Sequence, residues 1–231
     1  MTLPGFGDTY VPMRARLFFA LTFSILLVPL LGPRMPALPS HPLALVMILI
    51  SETLIGLFMG MIARIILMAL HAAGNIIAAQ SSLAVASIFD PQSGAQNAVV
   101  SNMLTLTALT LFFTLDLHHL VLAALVQSYD VFTVGQFPSV QDMNILQLRL
   151  FADAFNLGVA LAAPHIVVSL LFYLAGGLMT RLMPNFQVFF VMMPPQIIVA
   201  FLLLMALSGT IIHLFMEFME SQYMNFVSTG G

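Results

Sequence analysis

Charge is what this chain has least of. Only 6% of its 231 residues are charged, against roughly a quarter in an ordinary soluble domain. A water-soluble chain of this length covers its surface with polar side chains, and nine acids plus six bases cannot do that. Lysine is absent, and the bases are all arginine (Arg14, Arg16, Arg34, Arg64, Arg149 and Arg181). With a net charge of −3 there is no basic face for a nucleic acid, which excludes that partner class. The lack of cysteine excludes disulfides, thiolate metal sites and a cysteine nucleophile. The lack of tryptophan leaves an aromatic belt to Tyr10, Tyr129, Tyr173 and Tyr223. A cleavable signal peptide is not expected either. Pro4, Gly5, Asp8 and Pro12 precede Arg14, and Pro29, Pro33, Pro36 and Pro39 stand where a small-residue cleavage motif belongs.

What is present is apolar. Hydrophobic residues make up 61% of the chain, with a mean hydropathy of +1.06, a composition that needs lipid or many apolar partner subunits. Backbone polar groups in lipid must be satisfied within their own element, which leaves helices and closed barrels. A barrel alternates polar and apolar residues in segments of about ten, whereas this chain has unbroken runs such as Leu43–Ile50 and Leu157–Ala163. The expected fold is therefore all-α and polytopic.

Five apolar blocks follow one another between proline or polar punctuation. Leu17–Leu31 is bracketed by arginines and falls short of the roughly twenty residues of a span. Leu43 to about Ala79 is far longer than one span, and Glu52, Arg64, His71 and Gly74 interrupt it. It reads as one long tilted helix or a helical hairpin. Ala98–Phe132 has two apolar halves with Asp116, His118 and His119 between them. Leu146–Leu182 contains Pro164, and Phe186–Phe218 contains Pro194 and Pro195. Each proline removes a donor and crowds the preceding turn, so these last two blocks are expected to be broken or kinked helices, as occurs at membrane depth along cavities. For Pro164 an ordinary proline kink is the plain alternative. Arginines on both sides of the first block leave orientation open.

Glu52, Gly56, Gly60 and Arg64 recur every fourth residue, a spacing that drifts about 40° per step around a helix. Gly56 and Gly60 form a GxxxG, and Gly74 extends the small-residue surface, so close helix packing or subunit contact is expected there. Glu52 and Arg64 lie about 18 Å apart along one axis and need separate partners. Two readings stay open: a pathway or subunit contact, or charges that snorkel at a membrane edge.

The segment Gln80–Asn97 separates two apolar blocks with Ser, Ala, Gln and Asn and a lone charge at Asp90. Asp90–Pro91 ends a helix, and Gly94 permits a tight turn. Small uncharged residues mixed with Leu83, Val85, Ile88 and Phe89 fit packing against protein or plugging an aqueous path. An ordinary polar loop is the alternative. Asp116, His118 and His119 invite a metal reading, but His41, His71, His165 and His213 are scattered through other blocks. A polar helix–helix turn is favoured over a metal site, and neither metal nor cofactor is assigned. There is no GxSxG, HExxH or P-loop pattern.

Taken in order, a set of short matches runs along almost the whole chain. They are Tyr10-Val-Pro-Met-Arg14-Ala-Arg16; Glu52-Thr-Leu-Ile-Gly56 with Gly60; Ala73-Gly74 with Gln80; and Phe89-Asp90-Pro91. Leu111-Phe112-Phe113 with His118, Ser128-Tyr129 and Gly135 follow. Ala163-Pro164, Gly177, Arg181, Pro184-Asn185, Phe189 and Pro194 complete the set. In these features the chain resembles the FliR family of flagellar biosynthetic proteins, whose injectisome relatives are of the SctT type. It departs from the family pattern at Leu117 and at Ser81-Ser82, where a glycine and a Met-Gly pair are usual. Asn75 stands where an acid is common. Family members also carry an apolar helix ahead of the segment matching Leu3–Gly7; the expectation is a late start or a lost first helix.

The resemblance implies a single membrane domain over 1–231, packed with partners into a hetero-oligomeric helical cone that forms an export gate. The implied partners are FliP-type and FliQ-type gate subunits, an FlhB-type protein, unfolded export substrates and membrane lipid. The implied place is the bacterial inner membrane at the flagellar basal body, and the implied role is pore wall and not enzyme. The stretch 80–97 aligns with the family's plug, which makes Gln80, Ser81, Ser82, Leu83, Ala84, Val85, Ala86, Ser87, Ile88, Phe89, Asp90 and Pro91 the plug candidates. An injectisome gate component is the alternative. Further off stand an intramembrane enzyme using Glu52, His118 and His119, and a small-molecule transporter with its site near Pro164 and Pro194.

Overall fold

In the computed structural model the apolar blocks become helices, and residues 11–32, 40–82, 98–135, 137–183 and 187–229 are described. They are α1 (Met13–Leu31), α2 (Pro42–Gln80), α3 (Ala98–Thr114), α4 (Leu117–Val131), α5 (Val140–Leu182) and α6 (Val188–Thr229). No strand occurs among the described residues. Four helices are long and apolar enough to cross a membrane, and α3 with α4 adds a fifth span if that bent pair counts as one.

The first helix begins one turn earlier than its apolar block. The Pro12 carbonyl accepts the Ala15 and Arg16 amides at 2.9 and 3.2 Å, so the proline serves as the residue preceding a first turn, where its missing donor costs nothing. Arg14 and Arg16 are thereby helical.

The second apolar block resolves to one continuous helix of 39 residues, not a hairpin. At 1.5 Å per residue α2 is about 58 Å long, and α5 and α6 are about 65 and 63 Å, each roughly twice the thickness of a hydrocarbon core. Broken or kinked helices are the expectation at Pro164, Pro194 and Pro195; α5 and α6 run through those positions without interruption, so the helices are not broken there. Each proline forfeits one ladder bond. Unwinding the helix in an apolar surrounding would expose several backbone groups at a cost of several kcal/mol each, so the remaining ladder holds.

The real break lies between α3 and α4, which bend by 79°. It carries no proline. Asp116 adopts left-handed backbone angles (φ 58°, ψ 18°), a conformation that aspartate tolerates better than most residues.

Two compact units divide these helices. The first takes its described residues from Met1–Leu67, Phe112–Ala152 and Met219–Gly231. Its core lines up Ile55, Phe58, Met59, Ile62 and Ile66 on α2, the three- and four-residue spacing of a buried helical stripe. Phe58 meets Phe132 edge-on with ring centroids 5.9 Å apart.

The second unit draws on Met68–Leu111 and Asp153–Phe218. There the α2 stripe continues with Ala69, Leu70, Ala73, Ile77 and Ala78. Its residues are smaller, and neighbouring helices approach closely. A Cβ added at Gly74 would lie 2.6 Å from the Ser101 Cβ on α3, and one at Gly158 on α5 would lie 2.8 Å from the Ala69 carbonyl oxygen. Neither position has room for a side chain.

Hydroxyls on apolar faces turn back on their own helices. Ser24 bonds the Ala20 carbonyl, Thr53 that of Leu49, Thr107 that of Met103 and Thr180 that of Gly176, all at 2.7–2.8 Å. A polar side chain satisfied this way can face an apolar surrounding without an unmet donor.

Candidate functional site

The end of α2 is where the sequence places its most distinctive segment, and there polar side chains gather. Ser81 sends its amide to the Ile77 carbonyl at 2.9 Å, and its hydroxyl reaches the same oxygen. Ser82 follows with a left-handed φ of 57°. This closes the helix as glycine usually does.

Gln80 is held from two sides. Its side-chain oxygen accepts the Ser169 hydroxyl of α5, and its backbone carbonyl accepts the Gln196 side-chain amide of α6 at 2.7 Å. The last carbonyls of a helix have no partner within it, so Gln196 satisfies an acceptor that α2 cannot. Ser169 and Gln196 are 2% and 6% exposed. His165 is also buried within this cluster. Of the twelve plug candidates, Gln80, Ser81 and Ser82 fall in this cluster, and Leu83 to Pro91 lie outside the described residues.

The stripe of Glu52, Gly56, Gly60 and Arg64 does not bury as one face. Glu52 is half-buried, Gly56 exposed, Gly60 buried and Arg64 exposed, as expected when a four-residue step drifts around the helix. A Cβ at Gly56 would meet nothing within 4 Å. Among the described residues close approach is made at Gly74, one of the expected packing positions, and at Gly158.

Glu52 opens into a cavity of about 160 Å³ lined by Ile55, Gly56, Met59, Ser128, Tyr129 and Phe132. The Tyr129 hydroxyl and the Gly135 amide are directed at its carboxylate, while Oε1 is buried without a partner. Arg64 makes no ion pair among the described residues. The two charges thus stay separate, as their spacing requires.

At the α3–α4 bend, Asp116, His118 and His119 converge, with ligand atoms all within 4.8 Å of one another. The sequence reading treated them as a polar turn. They are that, and they also form a donor cluster, which the left-handed Asp116 makes by turning the chain back on itself.

Sequence reasoning missed Ser169, Gln196, His165 and Gly158. A signal was there for three of them: single polar residues inside otherwise apolar runs need a partner. What the partner would be was not readable.

Residues 1–222 match the family described as bacterial export proteins, family 1. The chain is 42% identical over 210 residues to the flagellar biosynthetic protein FliR of Caulobacter vibrioides, covering 90% of this chain and 84% of that protein. It is 29% identical to the Escherichia coli FliR, covering 94% and 84%. A further relative is the Yop proteins translocation protein T of Yersinia pestis, at 30% identity over 73% of this chain and 68% of that one.

Proposed function

Since the chain belongs to family 1 of the bacterial export proteins, we propose that it is a structural wall component of a flagellar type III export gate in the inner membrane. Unfolded substrates would cross through this gate. The greater identity to a flagellar relative than to the Yop translocation protein favours the flagellar apparatus over an injectisome. In this reading the chain is not an enzyme, and it sits at the basal body with FliP-type, FliQ-type and FlhB-type proteins.

The observation that carries the reading is apolar surface in excess of what a bilayer covers. Helices about twice as long as a hydrocarbon core still expose large apolar side chains along their length, from Leu43 to Met68 on α2 and from Phe189 to Met224 on α6. Neighbouring subunits would cover what lipid does not. The open face at Gly56 and the exposed Arg64 suit the same role, because neither is matched among the described residues. Expressed alone, the chain should aggregate, and co-expression with FliP- and FliQ-type subunits should rescue it. A sharp monomer peak for the solitary chain would overturn this.

Within the gate, we assign the segment that follows Gln80 to the plug. Small side chains with a few apolar ones pack weakly enough to be displaced, and apolar constrictions also gate by dewetting. The Gln80 cluster anchors the root of that segment to α5 and α6. Deleting Ser82–Ile88 should leave an assembled gate that conducts ions. An ion-tight deletion complex would sink the plug assignment.

A further inference from the structure

We propose that Asp116, His118 and His119 form a Zn²⁺ site at the α3–α4 bend. The inference is independent of the export reading, since it rests on the donor set and its geometry alone.

Adjacent residues on a helix point about 100° apart, so two consecutive histidines do not ordinarily converge. Here their ring centroids lie 4.1 Å apart, and the His119 Nδ1 stands 3.9 Å from the Asp116 Oδ1. All three ligand atoms lie within 4.8 Å. In a tetrahedral site with bonds of about 2.0–2.1 Å, donors sit about 3.3 Å apart. Side-chain rotation that draws the donors together by up to about 1.5 Å closes that gap, and Asp116 and His119 have the freedom for it, because their side chains are 76% and 71% exposed.

Two further observations set this turn apart from an ordinary polar one. Asp116 occupies the residue before α4, where an aspartate commonly accepts an amide of the first turn, yet its side chain makes no such bond. The backbone carbonyl of Asp116 takes the His119 amide instead, at 3.0 Å. The carboxylate is left facing the imidazoles. His118, in turn, is oriented by the Phe113 and Phe112 rings, with centroids 5.5 and 6.4 Å away. Its Nδ1 is buried and has no hydrogen-bond partner.

Two imidazoles and one carboxylate suit Zn²⁺ rather than Mg²⁺ or Ca²⁺, which take oxygen ligands. Three protein donors leave a fourth position for water. The chain has no cysteine to compete for the metal. Among the described residues no second group of three donors converges; His213 and Glu217 pair at 3.7 Å without a third. A bound ion would tie the first turn of α4 to the residue that bends the chain, and so hold the angle between the two helices.

The test is a Zn²⁺ titration of the full-length chain, purified in detergent with whatever subunits it assembles with, against a chromophoric chelator. One Zn²⁺ per chain is expected. Affinity should fall at least tenfold in Asp116→Asn and in His119→Ala, and stay unchanged in His213→Ala. Co²⁺ in its place should give visible absorption bands that vanish in His119→Ala. Asp116→Asn preserves side-chain shape, so it reports on ligation even if an alanine variant misfolds. No stoichiometric binding by the folded chain, binding that survives the His118→Ala/His119→Ala double variant, or binding lost in His213→Ala would each overturn the proposal.

Discussion

Gln196 reaches across from α6 to donate its side-chain amide to the Gln80 carbonyl at 2.7 Å, closing the end of α2 with a residue that directly follows Pro194-Pro195. The two prolines cannot donate to their own ladder, and the next residue sends its side chain to another helix. That residue and the end of α2 are thereby fastened together.

Gln196→Leu should destabilise the α2 terminus by about 1–3 kcal/mol, the cost of leaving a buried acceptor unmet. Limited proteolysis of the detergent-solubilised chain should show faster cutting just after Ser82. Ser169→Ala should have a smaller effect in the same direction, since Gln80 keeps its backbone bond. Unchanged cutting in Gln196→Leu would mean that the bond does not hold the root.

Ser82 pays a steric cost of about 1–2 kcal/mol for its left-handed backbone. Ser82→Gly should therefore be neutral or raise the melting temperature, after allowing for the extra freedom that glycine gives the unfolded chain. Ser82→Val should lower it, because a β-branched residue at φ 57° is a steric outlier. Thermal unfolding followed by size-exclusion chromatography decides between them, and a valine variant as stable as the parent would refute the strain argument.

The glycines separate packing inside the chain from packing outside it. Gly74→Val and Gly158→Leu each drive atoms into a neighbouring helix, and overpacking of this kind costs about 1–3 kcal/mol or more. The yield of folded chain from co-expression with its partner subunits should then fall. Gly56→Leu, with open space around it, should leave membrane insertion intact and block assembly and motility instead. Normal secretion by Gly56→Leu would show that this face meets lipid.

Tyr129→Phe takes away the hydroxyl directed at Glu52, and Glu52→Gln removes the charge. If the two act as a pair, a double-mutant cycle on thermal stability should give a coupling of about 0.5–3 kcal/mol. Additive effects would mean that Glu52 is served by its other neighbours.

Much of this was legible beforehand. Missing charge and unbroken apolar runs dictate helices, and Asp116 with its two histidines marks the one interruption between α3 and α4. At Pro164, Pro194 and Pro195 the helices continue, because in an apolar surrounding a freed carbonyl finds no solvent and unwinding costs more than one lost bond. Of the small residues expected to pack closely, Gly74 does so against Ser101, whereas Gly56 has open space around it. Spacing along one helix identifies a smooth surface but not the neighbour that uses it. Ser169 and Gln196 lie 27 residues apart in sequence and meet at one residue of α2, a pairing that no local pattern encodes.

Leu31 is the only buried residue of α1, and it stands at the helix's last position. Arg16, Phe19, Ala20, Phe23 and Leu27 are half-buried and the other residues of α1 turn outward, so most of the apolar surface of this helix is left for lipid or neighbouring subunits to cover.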